Sequence, residues 1–174
     1  IGLAAGEPPT ARGYTPSVFS EIPALCERCG TTDSGGSITA LYTVLVEGDD
    51  FNEPVSDILR ATLDGHIMLS RDLAHEGHFP AIDVLQSISR LAGDLASEEE
   101  QKIMGATVEL LSVYERNRQM VDMGAYRVGS NPAVDHAIQV FPLLRAVLRQ
   151  SVLESSSRQD ALARIRNALG AAAL

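Results

Sequence analysis

Tryptophan is absent from this chain, lysine occurs once, at Lys102, and aromatic residues make up only 5% of its 174 residues. The core must therefore be built from Leu, Ile, Val and Ala, a composition that leans helical. With one lysine and no G-x-x-x-x-G-K-[ST] anywhere, the chain holds no phosphate-binding P-loop of its own. No G-x-S-x-G is present either, which excludes the usual serine-hydrolase elbow. The longest apolar stretch, from Ile38 to Val46, is about half of what a membrane-spanning helix needs. The start, IGLAAGEPP, has neither a basic n-region nor an apolar h-region and opens on Ile rather than Met. The expectation is a piece of a longer protein with no secretory leader.

Positive charge is also scarce. The formal net charge is −9, and residues 1–92 carry thirteen acids against five arginines. Residues 93–174 are nearly balanced, with ten acids against nine bases. A chain this acidic lacks the basic face that nucleic-acid binding requires. What is present, 45% apolar and 21% charged residues, is ordinary for a globular protein and too apolar for disorder.

The two cysteines, Cys26 and Cys29, form one C-x-x-C inside VFSEIPALCERCG, a segment that reads as helix. Zinc would want a second pair or two histidines at ligand spacing, so the pair reads as small, half-buried residues. His75-x-x-His78 has metal-ligand spacing but no third ligand, and no metal site is expected there. Asp49, Asp50, Asn52 and Glu53 lack the Gly turn and closing Glu of a calcium loop; by themselves they read as a solvated acidic loop.

The pattern along the chain divides in two. GEPPTARGYTP is a Gly/Pro-rich loop, and a helix is predicted from about Ser17 to Cys29, with Ser17 as its N-cap. SITALYTVLVE, 37–47, is β-branched and almost continuously apolar, which predicts a strand buried on both faces. GDDFNEP is a loop, VSDILRATLD a short helix, HIMLS a strand, RDLAHEG a helical turn and FPAIDVLQSIS a third extended segment. Strands joined by helical crossovers argue for the edge of an α/β sheet. Beyond Arg90 the period becomes helical. Helices are predicted from Ser97 to Met123, from Pro132 to Arg149 with a bend or break near Pro142, and from Arg158 to Leu169. The boundary falls near 91–96, giving domains 1–92 and 93–174.

IGLAAGEPPTARGYTPSVF, GGSITALYTVLVEGDD, LDGHIMLSR and GHFPAIDVLQSISR follow one another in order and at familiar spacing. Together they resemble the part of a type III secretion or flagellar export ATPase that follows its Walker B strand. That family is similar to the subunits of rotary ATP synthases. VYERNRQMVDMGAYRVGS and AVLRQS continue the resemblance, more weakly, through the helical half. The resemblance implies an α/β plus α fold: the last part of a RecA-like P-loop ATPase core, then an all-helical C-terminal domain. It also implies that the P-loop, the Walker B Asp and the catalytic Glu lie upstream of Ile1.

Roles for particular residues follow from the resemblance. Arg90, the last residue of S-x-S-R, matches the arginine finger offered to a neighbouring subunit's nucleotide, where a guanidinium neutralises charge building on the γ-phosphate. Phe79 matches the aromatic that stacks on adenine, a contact worth roughly 1–3 kcal/mol. Arg149 and Gln150 fall near the opposite wall of the base pocket. The loop with Asp49, Asp50, Asn52 and Glu53 would face a central channel and contact a basic coiled-coil stalk. The intact protein would be a homohexamer using ATP and Mg²⁺, with a stator protein and chaperone–effector complexes as further partners. It would sit in the cytoplasm at the inner membrane, and this stretch alone would bind no nucleotide tightly. The alternatives are a flagellar export ATPase of the same family, or a non-hydrolysing helical interaction module.

Overall fold

In a computed structural model of the chain, residues 2–46, 48 and 50–170 are described. The chain divides into two compact units, 1–66 and 67–174.

In the first unit, α1 (Pro16–Cys26) has Thr15 at its N-cap, two residues before the predicted Ser17. Pro16 explains the shift: its fixed φ and missing N–H suit the first helical position. The Ser17 amide donates to Glu7 Oε2 at 3.0 Å, which holds that carboxylate below its ordinary pKa and satisfies one of the helix's open donors. The strands β1 (Gly30–Thr31) and β2 (Ser37–Ile38) pair antiparallel across a turn, and α1 packs against α2 (Pro54–Thr62).

The predicted two-face-buried strand over 37–47 is not formed. Only Ser37–Ile38 lies in a ladder, and residues 39–46 carry no regular structure. Leu41 is 91% exposed and Leu45 90%. An interior strand needs a hydrogen-bonded neighbour on each edge, and β1, of two residues, meets only its first two positions. Glu47, the last residue of that predicted strand, and Asp49, of the predicted acidic loop, lie outside the described residues.

The second unit takes in β4 (Ile82–Ser89), paired with β3 (Gly65–Leu69), with the short helix α3 (Arg71–His75) between them in sequence. After α4 (Ala92–Leu95) come the three long helices α5 (Glu98–Asp122), α6 (Pro132–Leu148) and α7 (Arg158–Gly170). Ser97 caps α5 in a reciprocal box: its hydroxyl accepts from the Glu100 amide, and Glu100 reaches back to the Ser97 amide at 2.8 Å. Ile103, Thr107, Leu110 and Leu111 form the buried stripe of α5. Ala137, Val140 and Leu144 answer it from α6, and Ala168 of α7 closes the cluster. Tyr114 and Phe141 stack beside it at 3.7 Å. Pro142 neither ends nor interrupts α6: it sits at an exposed position within one continuous helix.

Candidate functional site

The loop between α3 and β4 is built from its sequence with little freedom. Glu76 ends α3, and Gly77 takes φ +66°, a conformation that a side chain would oppose. The His78 amide donates to the Leu73 carbonyl at 2.9 Å and the Gly77 amide to the Ala74 carbonyl at 3.0 Å. These two bonds are a Schellman closure, which satisfies the helix's last carbonyls and throws the chain sideways. Ser70 completes the element at the other end, accepting from the Leu73 amide at 3.3 Å.

The closed loop is then fastened to α5 and α6. Glu76 gives one oxygen to Arg118 at 2.5 Å and the other to Arg145 at 2.8 Å. The Arg118 hydrogen bond holds its carboxyl below the usual range. Arg149 donates to the Gly77 carbonyl, and the Gln150 amide donates to the Phe79 carbonyl at 2.9 Å. Between these anchors His78 is buried, 5% exposed, with Nδ1 unpartnered. Burial first, and then the charges of Arg145 and Arg149, push its pKa down, so it is held as neutral imidazole. Phe79 is the exception: with its backbone fixed, the residue remains 57% exposed. An aromatic residue presented in this way is unusual in a chain so poor in aromatics, and it offers a π-face for stacking.

The structure therefore brings Phe79, Arg149 and Gln150 together, as the sequence reading grouped them. It does not bring Arg90 to them. Phe79 precedes β4 and Arg90 follows it, so the eight-residue strand holds them on the order of 25 Å apart. Ser87 ties the strand's end to β3: its hydroxyl donates to the Asp83 carbonyl at 2.6 Å and accepts from the Met68 amide at 3.0 Å. Arg90 is exposed at the bend between β4 and α4.

In the first unit, the acidic loop has an internal partner that sequence spacing did not reveal. Arg12, itself in the left-handed region at φ +56°, bonds Asp50 and lies 3.5 Å from Glu53. Glu53 is buried at the start of α2 and accepts from the Ser56 hydroxyl. Its carboxylate is part of the helix start, not of an open acidic rim. Asp50 accepts from the Asn52 amide at 3.1 Å, and both residues are on the surface side of the loop.

Among the described residues no three His, Cys, Asp or Glu side chains gather as a metal site, and His75 with His78 forms none. Cys26 and Cys29 are free and half-buried; burial raises the Cys26 thiol, which makes it a poor nucleophile. Among the described residues no helix is long and apolar enough to cross a membrane.

Residues 1–89 match the family model of the ATP synthase alpha/beta family, nucleotide-binding domain, and residues 96–167 match the T3SS EscN ATPase C-terminal domain. The flagellum-specific ATP synthase of Salmonella typhimurium is 51% identical over 163 residues, covering 93% of this chain and 36% of that protein. The assembled ATPase EscN from the type III secretion system of enteropathogenic E. coli superposes with a TM-score of 0.91 at 39% identity, over 97% of this chain and 40% of EscN. EscN in complex with its central stalk EscO superposes with a TM-score of 0.85 at 38% identity, over 97% of this chain and 40% of that chain. The chain spans less than two fifths of the length of the curated relatives it matches. It belongs to the ATP synthase alpha/beta family, in the branch that joins the nucleotide-binding domain to the helical C-terminal domain of the type III secretion and flagellar ATPases.

Proposed function

We propose that this chain contributes the adenine pocket, the arginine finger and the helical docking domain to a homohexameric ATPase that powers type III protein secretion. In this reading residues 1–92 belong to the RecA-like core and 93–174 to the C-terminal domain. ATP is hydrolysed with Mg²⁺ held by groups outside this chain, and the stretch alone neither binds it tightly nor hydrolyses it. The work done is release of chaperones, unfolding and export of cargo. Relatives named flagellum-specific ATP synthase match over the same stretch, and flagellar export is the second reading.

The observation that carries the proposal is the half-exposed Phe79 on a backbone fixed from both sides, beside Arg149 and Gln150. A ring already held in place loses little entropy when a base stacks on it. Arg90 lies at the far end of β4, so each copy offers its ring to one nucleotide and its guanidinium to another. That division of labour suits a ring of identical subunits, with the finger acting in trans on transition-state charge. Asp49, Asp50 and Asn52 form the stalk-facing contact, with Glu53 and Arg12 fixing the loop behind them. A peripheral stator protein and chaperone–effector complexes complete the partners, in the cytoplasm at the inner membrane.

The test is Phe79→Ala in the full-length protein. ATP binding should weaken by roughly 1–3 kcal/mol, while Phe79→Tyr, which keeps the π-face, should be nearly silent. A fall in thermal stability with unchanged ATP affinity would make Phe79 a packing residue and end the proposal.

A further inference from the structure

Glu76 lies three residues before the stacking ring. Its two carboxylate oxygens are divided between two helices: Oε1 takes Arg118 of α5 and Oε2 takes Arg145 of α6. Arg118 is in turn oriented by Glu115 at 3.8 Å and Asp122 at 3.6 Å on its own helix. Charge-assisted bonds of this kind are about twice as strong as neutral ones and geometrically demanding. The Schellman closure sets the shape of the loop, but only long-range contacts set where the loop sits on the helices. Among these, the Glu76 carboxylate reaches α5 and α6 at once.

We infer that Glu76 is a positioning residue: it ties the orientation of Phe79 to the spacing of α5 and α6. The inference rests on the reading of Phe79 as the adenine contact. Without the carboxylate, Arg118 and Arg145 face each other across the loop with Arg149 nearby, and buried His78 offers no negative charge to replace it. The loop then loses its fixed seat while its local turn survives. A load on the helical domain that changes the spacing of α5 and α6 alters base affinity through the same contact. By linkage, base binding resists that change.

The experiment is a double-mutant cycle in the full-length assembled protein, reading ATP turnover. Glu76→Gln keeps the side-chain shape and removes the charge. It should raise KM for ATP about three- to tenfold, with kcat within twofold of wild type. In a Phe79→Ala background the same substitution should raise KM little further, because its effect passes through the ring. If Phe79→Ala raises KM but Glu76→Gln leaves it unchanged, or adds its full effect to that of Phe79→Ala, the positioning role is wrong and the stacking reading stands. If Phe79→Ala leaves KM unchanged, both fail. A Glu76→Gln protein that melts earlier with an unchanged KM shows a merely structural ion pair. Should Glu76→Gln fail to assemble, Arg145→Gln removes one of the two anchors and reads the same cycle with the same outcomes.

Discussion

Two apolar stretches of this chain meet opposite fates. Residues 39–46 leave Leu41 and Leu45 almost wholly exposed, whereas α6 buries Val140 and Leu144 completely. Hydrophobicity does not separate them; backbone bookkeeping does. A helix closes its hydrogen bonds within four residues, so α6 needs only side-chain partners, and α5 and α7 supply these. An interior strand must borrow hydrogen bonds on both edges from segments elsewhere. Among the described residues α5, α6 and α7 supply one another's apolar partners, whereas residues 39–46 meet no paired strand.

That contrast is easiest to break in the helical core. Leu144→Ala should cost about 2–5 kcal/mol, read as a drop in the urea midpoint of the chain. A loss under 1 kcal/mol would mean the α5–α6–α7 cluster is loosely packed. Ser97→Ala removes the cap that Glu100 reciprocates and should cost about 1 kcal/mol; an unchanged midpoint would show a frayed first turn. Stability should also fall with acid in two stages. His78 has a lowered pKa, so below its ordinary value near 6.5 the unfolded chain binds a proton that the folded chain resists, and stability drops. Glu76 is also lowered, by Arg118; its contribution is present above 4.5 and is lost as pH falls below that. Urea midpoints at pH 7.5, 5.5 and 4 check both stages, and His78→Asn should flatten the first. The smallest effect belongs to Leu41→Ser, within about 0.5 kcal/mol; a larger loss would show that residues 39–46 are buried in solution.

The long helices were legible because their signals are local: the capping box at Ser97, the apolar stripe of α5, and Pro132 at a first helical position. The grouping of Phe79 with Arg149 and Gln150 came from family resemblance, since no period or spacing links residues some seventy positions apart. The fastening at Glu76 had no sequence signal at all. Its partners lie 42 and 69 residues away, and an acid ending a short helix is ordinary. Arg12 escaped for the same reason: an arginine in a Gly/Pro loop gives no hint that it will close on Asp50 and Glu53. The strand over 37–47 misled because an apolar β-branched run reports its preference for burial, not whether a partner is at hand.

In the proposed hexamer, Arg90 of one subunit completes the site whose base rests on Phe79 of another. Arg90→Ala in the full-length assembled hexamer measures it most directly, with turnover and ATP affinity read on the same preparation. Turnover should fall by about 10³–10⁵-fold while ATP affinity stays within a fewfold of wild type. Near-normal turnover in an assembled Arg90→Ala hexamer would contradict it.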